Sequence, residues 1–312
     1  ITGNASGFQY APSGKAIGFL VSGVFYEMPL SGGAMTKVLE LPGGVSNVEY
    51  SPDGKYVLFS TEVKTGEQLT DKYPAYPKAN AVLTDDLMYR HWNAYEDGLS
   101  SQVFYVPYGE GKVLGKAVNI MEGSEFESPT MPFGDGEQLA WAPDSKSIYY
   151  ITKQKTGMAY AVSTNTDIFH YDLITKSTTN ITEGMMGYEN SPAFSPDGGK
   201  LAWLSMKRDG YEADKNDLIV LDLKSGKKQN MTEFWDETLA AFKWSGNGKS
   251  IYFEAGKEAT YQLFELTLTD QLADLNQGKH IRQITGGDHE ITGMQVTGHG
   301  LLAARNDFNH AA

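Results

Sequence analysis

The sequence predicts an all-β chain, a β-propeller of four-stranded antiparallel blades. Three observations predict it. A hairpin phrase recurs: "YAPSGKAIGF" from Tyr10, "YSPDGKYVLF" from Tyr50, "WAPDSKSIYY" from Trp141, "FSPDGGKLAWL" from Phe194 and "WSGNGKSIYF" from Trp244. The leading aromatic residues lie 40 residues apart from Tyr10 to Tyr50, 53 from Trp141 to Phe194 and 50 from Phe194 to Trp244. Periods of that length belong to propellers and solenoids. Finally, the runs after the turns, such as Tyr56-Val57-Leu58-Phe59 and Ile148-Tyr149-Tyr150-Ile151, are apolar at every position. A half-exposed strand would alternate, so these read as strands buried on both faces.

Each repeat can be justified in order. In Ser51-Pro52-Asp53-Gly54 the proline presets φ, Asp suits the next position and Gly supplies the left-handed residue that closes a hairpin. The doubly apolar strand follows. A second strand type then comes with a polar ending, as in "DIFHYDLITKSTTNITEG" from Asp167 and "DLIVLDLKSGKKQNMTEF" from Asp217. The Ile-Thr or Met-Thr ending marks an outer edge strand. No 3.6-residue period argues for a helix, and four strands per unit at this period make a propeller blade.

Blades are expected to start near Phe8, Val45, Phe126, Glu189, Glu237 and Glu290, about six in all. The last stops after two or three strands, at "LLAARNDFNHAA". The opening "ITG" matches the outer-strand endings "ITEG" and "ITGG". Either the N-terminal strand completes the last blade and closes a six-bladed ring, or the chain is a piece of a larger propeller cut at both ends. Unpaired edges are avoided by proteins, so something must meet them. Residues 1–312 are read as a single propeller domain, incomplete at both ends. Tyr50 to Trp141 spans 91 residues, one unit carrying a long insertion over residues 61–102 in the second blade.

Composition bounds the function. A net charge of −13 and no basic run argue against a nucleic-acid partner. The absence of cysteine excludes disulfides, thiol nucleophiles and Cys-ligated zinc. No stretch approaches the roughly 18 apolar residues of a membrane span, and no charged-then-apolar signal opens the chain. The six histidines show no His-x-x-x-His spacing, and the Asp-rich turns lack calcium-loop spacing. "SGNGKS" at Ser245 and "GEGK" at Gly109 are read as turns of the repeat rather than phosphate loops. The aspartates of the recurring turn, Asp53 and Asp197, are architecture on the same ground. His170, in an apolar strand, is read as a satisfied core or edge residue.

The "SPDGK" hairpin with its aliphatic-aromatic strand resembles the blade repeat of TolB and of the propellers of the prolyl oligopeptidase family of serine peptidases. The insertion sharpens this. Its ending, "LMYRHWNAYEDGLSSQVFYVPY", looks like the propeller of the dipeptidyl peptidase V and acylaminoacyl-peptidase type. "SPAFSPDGGKLAWLSMKRDGYEADKNDLIVLDL" and "ARNDFNHAA" fit the same group, so the resemblance runs from Phe8 to Ala312. It implies a parent ring of seven or eight blades capping an α/β-hydrolase domain. That domain's Ser-Asp-His triad would release dipeptides or acyl-aminoacyl groups from the N-termini of short peptides. The propeller would gate access and recognise the substrate end. The chain departs from the pattern in lacking any Gly-x-Ser-x-Gly, so this chain alone should not hydrolyse peptides. No catalytic residue, cofactor or metal is expected in it.

The resemblance puts substrate contacts in the insertion, on Arg90, Trp92, Glu96 and Asp97. Glu96 and Asp97 could hold an ammonium by charge-assisted hydrogen bonds, and Arg90 a carbonyl or carboxylate. The plainer reading packs Trp92 and His91 onto the blade, with Arg90 paired to Asp85 or Asp86. The implied partners are the hydrolase domain of the same parent, short peptides and a second copy in a homodimer, and the implied compartment is periplasmic or secreted. The alternative is a stand-alone TolB-like propeller binding protein partners in the cell envelope. Its short, regular blades would leave the long insertion unexplained.

Overall fold

The recurring hairpin takes one conformation wherever it is written. Ser51 N donates to Tyr56 O at 3.0 Å and Gly54 N to Ser51 O at 2.9 Å. Inside the turn Ser51 Oγ donates to Asp53 Oδ1 at 2.8 Å, and Lys55 N to the same oxygen at 3.1 Å. Ser195 with Asp197, and Ser245 with Asn247, repeat the side-chain bond at 2.6 and 2.9 Å. The aspartates are turn fasteners, as expected of copies of one position. "SGNGKS" is the same hairpin. "GEGK" is a tight turn as well, with Glu110 and Gly111 at φ of 52° and 76°.

The structure is a computed structural model and describes residues 4–91, 93–270, 272–298 and 300–311. The opening "ITG" and Trp92 lie outside these. The chain forms two compact units, Ile1–Glu183 and Gly184–Ala312, where the sequence reads as one domain.

Among the described residues the first unit holds three larger antiparallel sheets and one small two-stranded one. The first runs β1 (Ala5–Tyr10), β2 (Ala16–Val21), β3 (Val24–Pro29) and β4 (Thr36–Leu39) in sequential order. The second begins with β5 (Ser46–Tyr50) and β6 (Tyr56–Lys64), and the chain then leaves it. The excursion carries helix α1 (Leu69–Lys72) and a small hairpin, β7 (Arg90–His91) with β8 (Ala94–Tyr95). It returns as β9 (Leu99–Gly109), followed by β10 (Lys112–Val113) and β11 (Val118–Asn119), both paired to β9. The third sheet is β12 (Leu139–Trp141), β13 (Ser147–Thr152), β14 (Asp167–Asp172) and β15 (Thr178–Asn180), with helix α2 (Gly157–Val162) between β13 and β14.

The second unit repeats the plan. One sheet is β16 (Glu189–Phe194), β17 (Lys200–Ser205), β18 (Asp217–Asp222) and β19 (Lys228–Asn230). Another is β20 (Leu239–Trp244), β21 (Ser250–Lys257), β22 (Thr260–Thr267) and β23 (Ile281–Gln283), with helix α3 (Leu272–Leu275) before its last strand. A two-stranded sheet, β24 (Glu290–Thr297) with β25 (Gly300–Asn306), follows. The last blade thus has two strands among the described residues.

Two boundaries differ from the sequence reading. The third sheet starts at Leu139 rather than near Phe126. Residues 120–138 are a connection, because Pro129 and Pro132 cannot donate to a ladder. The insertion is also narrower than 61–102. The β6–β9 ladder stays in register out to Lys64 opposite Leu99, so the excursion is 65–98.

The doubly apolar strands bury both faces, as their pattern requires. In β6, Val57 and Phe59 pack with Phe25, Val106 and Tyr108 on one side. Leu58, one position out of phase, packs with Val103, Trp141 and Ile148 on the other. In the second unit Ala202, Leu218 and Val220 meet Phe242, Ile251 and Phe253. Each buried Val, Leu, Ile or Phe among them contributes about 1.5–3 kcal/mol by leaving water.

Each leading strand except the short β12 carries a bulge, for example between Ser6 and Gln9, Ser46 and Glu49, and Asn190 and Ala193. The extra residue sits left-handed, at Gly7 (62°), Asn47 (53°) and Ser191 (55°). The outer strands end on a second repeated device. Thr182 Oγ1 donates to Asp167 Oδ1 at 2.8 Å and accepts from Ile168 N at 2.9 Å, while Asn180 Oδ1 takes Thr182 N at 2.9 Å. Asp217, Asn230 and Thr232 reproduce it.

Candidate functional site

Three connections of the first unit meet around one cavity: the insertion 65–98 after β6, the segment 120–138 after β11, and the loop 153–166 that holds α2. In an antiparallel sheet the second and fourth strands finish at the same end, which is why the connections after β6 and β11 emerge together. The cavity has a volume of about 220 Å³ and is lined by Glu96 from the first, Glu127 from the second, and Lys153, Gly157 and Tyr160 from the third.

Glu127 is the best-held group. Its Oε1 accepts from Tyr160 Oη and from Met131 N, both at 2.9 Å. Burial raises its pKa, the two hydrogen bonds oppose the rise, and the Glu96 charge adds to it. Glu96 is raised too, by burial and then by the Asp97 charge. Burial lowers His91, while Glu127 pulls it up and Lys153 pushes it down. His91 Nδ1 stands 3.4 Å from Glu96 Oε1 without hydrogen-bond alignment. Its ring meets Tyr160 edge-on at 5.9 Å. Lys153 donates to Ser163 O and lies 3.9 Å from the Tyr160 ring centroid, so its charge is committed to the wall. The result is a recess holding two carboxylates whose ionised forms are disfavoured, chiefly by burial.

The sequence-predicted residues divide. Glu96 lies in the cavity. Asp97 is next to it but exposed, and its Oδ1 accepts Leu99 N at 3.0 Å, which makes it the fastener of the insertion's closing turn. Arg90 is exposed on β7 opposite Tyr95, with its guanidinium 5.7 Å from the Tyr89 ring centroid. Among the described residues it forms no ion pair with Asp85 or Asp86. Trp92 lies outside the described residues. His170, on β14, meets its cross-strand partner Tyr149 on β13 with ring centroids 4.8 Å apart and planes tilted by 41°. Among the described residues no group of three or more acidic or His side chains could hold a metal, and no helix is long and apolar enough to cross a membrane.

Glu127, Lys153 and Tyr160 escaped sequence reasoning. The sequence reading starts a blade near Phe126, beside Glu127. The two prolines that follow within five residues were the signal that it stands in a connection instead. Tyr160 belongs to "KTGMAYAVST", a short non-repeated stretch inside the third blade.

No family model matches the chain. It is 40% identical over 266 residues to dipeptidyl-peptidase 5 of Porphyromonas gingivalis, which covers 85% of this chain and 37% of the relative. It is 38% identical over 305 residues to dipeptidyl-peptidase 5 of Porphyromonas endodontalis, covering 96% of this chain and 42% of the relative. The chain therefore spans about two fifths of the curated relatives it matches. Among solved structures it superposes on the β-propeller domain of the trilobed protease from Pyrococcus furiosus with a TM-score of 0.59 at 14% identity, covering 98% of this chain and 79% of that one. At that identity the likeness speaks for the fold alone. The chain is thus similar, over most of its own length, to part of two dipeptidyl-peptidase 5 proteins, and its fold is that of a β-propeller.

Proposed function

We propose that the chain is the gating and substrate-recognition portion of a periplasmic or secreted serine exopeptidase. In this reading Glu96 and Glu127 receive the N-terminal ammonium of a short peptide. Arg90, on the exposed side of the same hairpin, serves a carbonyl or carboxylate further along it. The observation that carries the reading is the recess itself: two half-buried glutamates from separate connections, one fixed by Tyr160 and Met131 N. An ammonium placed between them gains charge-assisted hydrogen bonds and relieves their repulsion. An acylated terminus offers no charge, so the acid pair favours release of dipeptides with a free amine over acyl-aminoacyl groups. Cleavage would come from an α/β-hydrolase domain of the same parent, because this chain has no nucleophile elbow.

The test is calorimetric titration of the chain with a dipeptide amide and with its N-acetyl counterpart. The free amine should bind, and the acetylated form should bind on the order of tenfold or more weakly. Equal affinities would remove the reading. If neither peptide binds, the stand-alone partner-binding alternative takes its place. Hydrolysis of a dipeptidyl nitroanilide by this chain would also overturn it.

A further inference from the structure

The acid pair is built from two pieces whose backbone continuity runs through a narrow neck. His91 and Glu96 ride on the insertion, whereas Glu127, Lys153 and Tyr160 belong to connections of the sheets. The β6–β9 ladder stops at Lys64 and Leu99. Just beyond it Gly66 and Gly98 lie back to back. A Cβ on Gly66 would stand 3.2 Å from Gly98 Cα, and one on Gly98 would stand 3.1 Å from Glu67 O. Gly98 holds φ at 80°, and Thr65 N and Gly66 N both donate to its carbonyl at 3.0 Å. A half-buried hydrogen bond between Thr65 Oγ1 and Ser100 Oγ at 2.7 Å and one exposed ion pair, Lys64 with Asp71, also cross the neck, and exposed pairs contribute little.

The far end of the insertion rests on α2. Gly157 is the seat: a Cβ there would stand 2.9 Å from Asp86 Oδ2. The His91–Tyr160 ring contact lies beside it. Around the seam the acids are Asp86, Glu96, Asp97, Glu125 and Glu127, against Lys153 and Lys155. With the recess empty, like charges oppose the seating; with a cation between them, the same charges favour it.

We propose that residues 65–98 form a hinged strap. It swings about the Gly66–Gly98 neck, lifts off Gly157 and Tyr160 to admit a peptide N-terminus, and closes when an ammonium joins Glu96 to Glu127. The trigger rests on the ammonium reading above; the hinge does not.

The cysteine-free sequence makes the motion directly measurable. Nitroxide labels on Lys78→Cys, in the strap, and Ile174→Cys, in an exposed turn of the third sheet, report the distance between the two pieces. Two populations should appear in the free chain and collapse to the closed one when a dipeptide amide is added, but not with its N-acetyl form. A single narrow distance that is unchanged while calorimetry shows the amide bound overturns the hinge and leaves the ammonium reading standing. Two populations indifferent to both peptides, with neither bound, uphold the hinge and remove the ammonium trigger. A second variant, D86C/G157C, pins the strap down, since Gly157 Cβ would stand 3.4 Å from Asp86 Cγ, within reach of a disulfide. Oxidation should slow association of the dipeptide amide on the order of tenfold, restored by reductant. Unchanged association in the oxidised, folded variant also overturns the hinge.

Discussion

Tyr160 does two things in the recess: it donates a hydrogen bond to one carboxylate oxygen of Glu127 and seats the ring of His91. Removing the hydroxyl with Tyr160→Phe keeps the packing and deletes a bond that favours the ionised acid. Titration of the variant should show the Glu127 pKa moving further up and the affinity for a dipeptide amide falling about three- to tenfold. Glu127→Gln removes the charge itself and should cost about 1.5–3 kcal/mol of that affinity. The pH dependence follows from the direction of the shifts. Both glutamates are raised above the ordinary value, so an ammonium loses its partners as pH falls through those raised values. Binding should therefore fade at a higher pH than an ordinary surface glutamate would dictate, and Glu127→Gln should flatten that part of the profile. His91, held low by burial, stays neutral near pH 7 and does not compete as a cation.

Single elements show what was legible in the sequence and what was not. The hairpins were, because Pro, Asp and Gly at fixed offsets permit few other conformations, and β13 and β17 were, because buried strands must be apolar throughout. The insertion was visible as the stretch that is not copied. The recess was not, since Glu127 and Tyr160 meet only through the third dimension and no local pattern links them. Nor were the bulges: Asn47 and Ser191 are ordinary residues in a left-handed conformation that sequence does not announce. Ser191→Gly should leave thermal stability nearly unchanged, whereas Ser191→Val should cost about 1–2 kcal/mol in denaturant titration. Replacing residues 67–97 with a short glycine turn should preserve the melting temperature within a few degrees, because the ladder is complete at Lys64–Leu99. The same deletion should abolish the distinction between free and acetylated peptides.

At the scale of the molecule, a net charge of −13 is borne by sheets whose stability comes from apolar faces. Self-repulsion of that size is screened over about 8 Å at physiological ionic strength. The melting temperature should therefore rise from low salt to about 0.15 M salt; a fall would show that exposed pairs such as Lys37–Glu40 outweigh the repulsion. The charge also bears on function. An acidic chain concentrates cationic peptide ends near its surface before any of them reaches Glu96, and that contribution to association should weaken with salt even where stability improves.

The threonines that end the outer strands have a consequence for anyone producing the protein. Asn180-Ile181-Thr182 and Asn230-Met231-Thr232 both spell the acceptor signal of N-linked glycosylation. In the folded blades, however, Thr182 and Thr232 are buried at 0% and 1% exposure, and Asn230 Nδ2 already donates to Asp217 Oδ2 at 3.0 Å. A secretory host that decorates nascent chains would reach these asparagines before the strands pair. A glycan there would occupy the place of the closing hydrogen bonds. Yield from a glycosylating yeast should therefore lag that from a bacterial host, and blocking glycan transfer during expression in that yeast should recover it while leaving the Asn230–Asp217 bond in place.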